Sequence, residues 1–158
     1  MPGKQGSRYS LDTNVLITAW RETYPPEAFA SFWDRLDGLI EERRALVSEE
    51  VYEELSRKED RLFDWVKQRP ACVVPHTDEV QAAVTRILKS HPLLIKARKN
   101  RSGADPFVIA VALCERCMVV THEGYGSDQA PRIPDVCRAY KVAFQPLTQL
   151  IRDEGWRF

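Results

Sequence analysis

Acidic side chains that directly follow apolar runs are the residues of this sequence best suited to chemistry. The run "YSL" is followed by "DTN", whose acid is Asp12, and "MVV" is followed by "THE", whose acid is Glu123. Asp105 and the glutamates after "ALVS" add further carboxylates. Two carboxylates about 4 Å apart repel by on the order of 4 kcal/mol at an effective dielectric of 20. A divalent cation removes that penalty, and oxygen ligands favour Mg²⁺ or Mn²⁺ over zinc.

Metal-assisted phosphoryl transfer is the chemistry that such a cluster predicts, with a metal-activated water attacking phosphorus. Each acid also has a simpler interpretation. Asp12 could only cap the helix after it, Asp105 before Pro106 could be an N-cap, and Glu123 could be a loop acid. The four glutamates after "ALVS" also fit a solvated helix face: Glu49, Glu50, Glu53 and Glu54.

Short apolar runs alternate with helical patterns along the whole chain. Strands are predicted at "RYSL", "ALVS", "CVV", "MVVT" and "VAF". The segments between them have helical spacing or capping residues, such as Ser48 and Thr77. We expect one α/β domain over residues 1–158, with a mostly parallel sheet of four to five strands between helical layers. Residues 1–7 are expected to be flexible. Ligands of such sheets bind outside the carboxyl ends of the strands, so Asp12 and Glu123 would meet there if their strands are neighbours.

A basic segment stands out in a chain with no net charge. Lys plus Arg and Asp plus Glu each number 23, so the total charge does not indicate a nucleic-acid partner. Residues 80–104, however, contain no acid and six basic side chains: Arg86, Lys89, Lys96, Arg98, Lys99 and Arg101. Such a cluster next to Asp105 predicts binding of a phosphate backbone such as RNA, chiefly by the last four, although a solvated loop would have the same composition.

The remaining composition favours a cytoplasmic protein without a membrane segment. No apolar run approaches the roughly 18 to 20 residues of a membrane span, and the polar start does not resemble a signal peptide. The four cysteines are therefore expected to be reduced thiols. Cys114 and Cys117 have C-x-x-C spacing, but no second pair or nearby His completes a zinc site.

Four motifs in order resemble those of PIN-domain proteins, the fold of the VapC-type toxin ribonucleases. They are "SLDTNVLI", "VYEEL", "ADPFVIAVA" and "VVTHE", and together they span nearly the whole chain. The stretches "YPPEAFASFW", "VVTHEGYG" and "IPDVC" also resemble a PIN-like subgroup of small bacterial proteins. The resemblance implies a three-layer α/β/α PIN-like domain.

Transferred position by position, the resemblance implies four catalytic, metal-coordinating acids: Asp12, Glu54, Asp105 and Glu123. Asn14 matches the polar residue that supports the first acid, and Thr121 matches the one that precedes the last acid.

Two of these acids have alternatives. Glu54 is chosen because the acid of the family usually precedes a leucine, as in "VYEEL", but Glu50 and Glu53 are close in sequence. Many relatives carry Asp where Glu123 stands, and Asp128 follows it closely.

The resemblance implies the toxin of a toxin–antitoxin pair. Such proteins cut RNA with Mg²⁺ or Mn²⁺, leave a 3′-hydroxyl and a 5′-phosphate, are blocked by a protein antitoxin and commonly form homodimers. One alternative is a PIN-fold module that binds RNA or protein without cutting. The other is a haloacid-dehalogenase-like phosphatase, because "LDTNVL" resembles the first motif of that family. That chemistry needs a second acid where this chain has Asn14.

Overall fold

The structure of the protein is a computed structural model that describes residues 6–58, 60–96 and 103–158, apart from the side chain of Lys96. Residues 1–5 of the start predicted to be flexible lie outside it. So do residues 97–102, which belong to the basic segment.

A sheet of five parallel strands forms the centre of the described fold, in the order β3-β2-β1-β4-β5. The strands are β1 Tyr9–Leu11, β2 Ala45–Ser48, β3 Val73–Val74, β4 Met118–Val120 and β5 Phe144–Gln145. Tyr9 pairs with Ala45 on one side and Met118 on the other. The prediction of a mostly parallel sheet of four to five strands is confirmed. β1 and β4, the strands that precede the first and last acids, are neighbours.

Nine α-helices connect and cover the strands in the described residues. They are α1 Thr13–Thr18, α2 Ala30–Glu41, α3 Glu49–Ser56, α4 Arg61–Lys67, α5 Asp78–Ser90, α6 Leu93–Lys96, α7 Asp105–Glu115, α8 Ile133–Ala139 and α9 Leu147–Asp153. A π-helical turn, Ala19–Thr23, extends α1, and a 3₁₀ turn, Pro70–Cys72, precedes β3. The predicted caps are present, since Ser48 Oγ accepts from the Val51 N–H and Thr77 Oγ1 from the Val80 N–H.

The helical layers lie on opposite faces of the sheet. On one face, Ser10 Oγ donates to the carbonyl oxygen of Val108 in α7, and α5 packs against α7. On the other face, Leu11 lines one small apolar void together with Leu16 of α1 and Leu36 of α2. The predicted three-layer arrangement is therefore confirmed.

One local feature was predicted wrongly, and two short helices were not predicted. The residue before α7 is Ala104, whose carbonyl accepts the Val108 N–H, so Asp105 is the first helical residue and not the N-cap. The seven residues of α8 were not predicted, because two turns are too short for a hydrophobic period to show. The four-residue helix α6 lies in a stretch where no period was visible.

Two expectations about the whole chain can be compared with the described residues. All four cysteines are free, as expected for reduced thiols. No helix in residues 6–58, 60–96 or 103–158 has both the length and the apolar character that a membrane crossing requires.

Candidate metal and active site

Buried polar side chains gather at the carboxyl ends of the strands. The buried polar and charged residues in the described part of the chain are Ser10, Asp12, Thr13, Ser48, Asp105, Thr121 and Gln145. All except Ser10 end a strand, follow one within two residues or begin α7. Parallel strands share one carboxyl edge, and α7 begins at that edge because it runs back along the sheet before β4. The fold therefore concentrates its buried polarity where ligands bind in parallel sheets.

Asp12 is buried at the end of the central strand, with 2% of its surface exposed. Its Oδ2 accepts a hydrogen bond from Thr121 Oγ1 at 2.9 Å, and its backbone N–H donates to the carbonyl of Val120 at 3.0 Å. It occupies the N-cap position of α1 without making a side-chain capping bond. Capping therefore does not account for this carboxylate.

Glu54 is tied to the same strand end through Thr13. The hydroxyl of Thr13 donates to Glu54 Oε2 at 2.6 Å, and Thr13 directly follows Asp12. Among the alternatives on α3, Glu53 is exposed, and the Oε2 of Glu50 lies 3.9 Å from His76 Nε2. Of these three glutamates, the structure thus places Glu54 in hydrogen-bond contact with the first residue of α1, which directly follows Asp12.

Glu123 is held beside Asp12 by Thr121, two residues before it, and by the helix after it. Its backbone N–H donates to Thr121 Oγ1 at 3.1 Å, so one hydroxyl joins the two acid-bearing strand ends. Its Oε1 accepts from the N–H of Ile133, the first residue of α8, at 3.3 Å. Asp128, the alternative fourth acid, is exposed and lines a separate cavity.

Asp105 enters the same edge from the α7 layer. It is 4% exposed and is the first residue of the helix. Val108, three residues further into α7, accepts from Ser10, which lies two residues before Asp12. Going back along α7 from Val108 therefore leads to the sheet edge at which Asp12 lies.

The carboxylates influence one another electrostatically. Burial, and after it the charges of Glu123 and Glu54, raise the pKa of Asp12 from its ordinary 3.8 to about 6. The hydrogen bond from Thr121 favours the charged carboxylate and lowers the pKa. A buried acid facing two others gains most from a nearby cation.

The donor set fits a hard divalent cation. Carboxylate oxygens suit Mg²⁺ and Mn²⁺, and Mg²⁺ keeps several waters while binding one or two carboxylates. Within the described ranges, no three Asp, Glu, His or Cys side chains form a group that could hold a metal ion. Metal coordination by Asp12, Glu54, Asp105 and Glu123 therefore stays a prediction.

Comparison with known proteins places the chain in a family. A family model described as "Domain of unknown function (DUF4411)" matches residues 9–158. The chain belongs to the DUF4411 family. No curated protein sequence matches it.

The fold of this DUF4411 chain has a solved counterpart. A chain from the crystal structure of VapBC2 from Rickettsia felis, bound to a DNA fragment from their promoter, superposes with a TM-score of 0.55 and 13% identity. The match covers 87% of this chain and 97% of the other. At this identity the likeness concerns the fold alone, and it confirms the PIN-like α/β/α fold predicted from the motifs.

The supporting residues and the basic residues predicted for this DUF4411 chain have different outcomes in the structure. Thr121 contacts Asp12, whereas Asn14 is exposed and makes no hydrogen bond to Asp12 among those of the described residues. Arg98, Lys99 and Arg101 lie outside the described ranges, as does the side chain of Lys96. Their role in RNA binding stays a prediction.

Two contributors to the site were missed in the sequence. Thr13 is a buried hydroxyl residue directly after the first acid, which is a signal that could have been used. The second is the backbone N–H of Ile133 at the start of α8. Its sequence signal was weaker, namely the proline at position 134 near the start of that helix.

Proposed function

We propose that the protein is an endoribonuclease dependent on Mg²⁺ or Mn²⁺ that hydrolyses RNA phosphodiester bonds. The observation that carries the proposal is Asp12, a buried carboxylate whose pKa is raised to about 6 by burial and then by Glu123 and Glu54. A stable protein retains such a charge where a cation offsets it.

The acids would divide the work of holding the ion. Asp12 and Asp105 would be the main ligands, with Glu54 and Glu123 completing the site directly or through water. A bound Mg²⁺ or Mn²⁺ would supply a deprotonated water at neutral pH and stabilise the charge that develops on the phosphate oxygens. Thr121 and Thr13 hold the Asp12 and Glu54 carboxylates by hydrogen bonds, and no His base is required.

RNA is the proposed substrate because positive charge precedes the acidic cleft in sequence. Lys96, Arg98, Lys99 and Arg101 occur within nine residues before Asp105, in a stretch without any acid. Cations so placed suit a long polyanion better than a small phosphate ester.

The biological role we propose is the toxin of a toxin–antitoxin pair in the cytoplasm. Its support is the fold shared with a chain of the VapBC2 complex. A protein antitoxin would then cover the acidic cleft, and the toxin would form a homodimer.

Cleavage by partner-free protein tests the activity. Wild type, Asp12→Asn and Glu54→Gln are incubated with RNA in Mn²⁺, Mg²⁺ or EDTA, with Glu53→Gln as the matched control, because Glu53 is the exposed neighbour on the same helix. Wild type and Glu53→Gln should cut only with metal and leave 5′-phosphates. The other two variants should lose roughly 100-fold or more, the scale for a lost group that stabilises developing charge.

Other outcomes identify the alternatives. Cutting that survives EDTA or Asp12→Asn contradicts the role given to Asp12. RNA binding without cleavage favours the silent PIN-fold module. Release of phosphate from small esters favours the phosphatase.

A further inference from the structure

A second cavity adjoins the loop that follows the last acid of the site. It has a volume of about 370 Å³, in the range of small-molecule sites. Its apolar walls include Pro92 and Leu93 at the start of α6 and Pro131 before α8. Asp128 and Arg138 supply opposite charges at the same cavity.

The loop that lines this cavity, residues 123–133, is joined at both ends to Glu123, the last acid of the site. It begins at Glu123, and Ile133, where it ends, donates its N–H back to Glu123 Oε1. Asp135 in α8 binds the backbone of the loop, because its Oδ2 accepts from the N–H groups of Gly126 at 2.7 Å and Arg132 at 2.8 Å. A ligand in the cavity would therefore contact the loop that carries Glu123.

The loop is also tightly packed at Gly126. A Cβ at this position would stand 2.1 Å from the carbonyl oxygen of Ala130, so a side chain there would force the loop to move. The backbone of the loop is therefore closely packed between positions 126 and 130.

The two carboxylates at the cavity, those of Asp135 and Asp128, differ in their hydrogen bonds and exposure. Asp135 already accepts two backbone N–H groups, whereas the carboxylate of Asp128 lies in the exposed part of the loop. The Arg138 guanidinium lies 5.9 Å from the ring centroid of Tyr125, and that ring packs edge-on against Phe144. Besides the polar side chains of Ser90, His91, Ser127 and Asp135, the cavity therefore presents the two carboxylate oxygens of Asp128 and the planar guanidinium of Arg138, next to its apolar walls.

Guanine matches this combination better than any other base. Its Watson–Crick edge carries two adjacent N–H donors, which a carboxylate can accept together, and its O6 and N7 accept from arginine. In adenine, cytosine and uracil, a ring acceptor or carbonyl stands beside the donor and would face the carboxylate. The flat ring of any base can pack against a proline or leucine side chain.

We propose that this cavity binds a guanine base of the RNA, next to the phosphate that is cut. Asp128 accepts from its Watson–Crick edge, and Arg138 donates to O6 and N7. Because that edge must be free, the guanine is in a single-stranded segment. This inference rests on RNA being the substrate, and it makes Asp128 and Arg138 the residues that determine base preference.

Binding without cleavage tests the assignment. Labelled short single-stranded RNAs that differ at one position, guanine or adenine, are titrated with wild-type protein in EDTA. The guanine RNA should bind about tenfold or more tightly. Asp128→Asn and Arg138→Gln should each remove most of that preference, and Asp34→Asn, an exposed acid on α2, should leave it unchanged. Competition with GMP and AMP shows whether the base alone is recognised or only a base within RNA.

The outcomes separate this inference from the proposed nuclease. Equal binding of the two RNAs, or full preference in Asp128→Asn, overturns the guanine site even if the protein cuts RNA with metal. A guanine preference that depends on Asp128 and Arg138 supports the site even if no cleavage is found. Competition by GMP without any preference between the RNAs assigns the cavity to a free nucleotide and overturns the RNA contact.

Discussion

The hydroxyl of Thr121 donates to the carboxylate of Asp12 at 2.9 Å and joins two residues 109 positions apart in the chain. The same oxygen accepts the backbone N–H of Glu123 at 3.1 Å. One small side chain thus sets the orientation of the first acid and the position of the last. Sheet pairing explains this contact, because β1 and β4 are parallel neighbours that end at the same level.

Replacing Thr121 by valine should raise the pKa of Asp12 further, since the lost hydrogen bond favours the charged form. Metal affinity should fall by about 10- to 100-fold, as for other groups that orient a ligand. The acidic limb of the pH–cleavage profile should move to higher pH. Thr121→Ser keeps the hydroxyl and should retain the wild-type profile. Equal profiles for the valine and serine variants would contradict this role.

Asp12→Asn should stabilise the metal-free protein at neutral pH. The folded state raises the pKa of Asp12 from 3.8 to about 6, a difference worth about 3 kcal/mol against the charged form. The stability that the protonated acid contributes is complete below its unfolded pKa and is lost as pH rises through the folded pKa. Urea unfolding in EDTA should therefore show a gain of up to about 3 kcal/mol at about pH 7.5 and little gain at about pH 4.

The sign of that change is the decisive observation. Asp34→Asn, an exposed acid on α2, should change stability little at either pH. If Asp12→Asn unfolds more easily than wild type at neutral pH in EDTA, burial does not disfavour the charged form of Asp12, and the prediction is wrong.

Divalent cations should stabilise the wild type against unfolding. An ion that binds only the folded state adds about 2.7 kcal/mol at a free concentration about 100 times its Kd. Thermal unfolding with Mn²⁺ should shift upward for wild type and not for Asp12→Asn, and Ca²⁺-free EDTA buffer serves as the reference. A similar shift in both proteins would place the ion elsewhere.

The contact between Thr13 and Glu54 should show measurable coupling. Its 2.6 Å hydrogen bond joins α1 to α3. A double-mutant cycle of Thr13→Val and Glu54→Gln should give about 1 kcal/mol or more in the free energy of unfolding, the range for a hydrogen bond to a charged group. The same cycle with Glu53→Gln should give none. Additive effects for Thr13 and Glu54 would show that the bond contributes nothing in solution.

The places of Asp12 and Glu123 after β1 and β4 were predictable because their signal is local, whereas their role as metal ligands stays a prediction. An apolar run that stops at an acid predicts a strand end, and parallel topology then brings Asp12 and Glu123 to one edge. Thr77 and Ser48 were found as helix caps for the same local reason.

Contacts between distant segments were not predictable in this way. Nothing local indicates that Thr13 bonds Glu54, or that Ile133 bonds Glu123, because both depend on how helices pack against the sheet. The cavity beside Asp128 and Arg138 arises likewise from three separate segments. The local pattern did not distinguish Asp105 as a cap from Asp105 as the first helical residue.

Anomalous diffraction from crystals soaked in Mn²⁺ tests the central claim most directly, that Asp12 and its neighbouring acids hold a divalent cation. The account predicts a manganese peak at coordination distance from the Asp12 carboxylate, with Asp105, Glu54 and Glu123 bound directly or through water. The peak should be absent in Asp12→Asn crystals. A wild-type map with no manganese at the carboxyl edge of the sheet, or an unchanged peak in the variant, would contradict it.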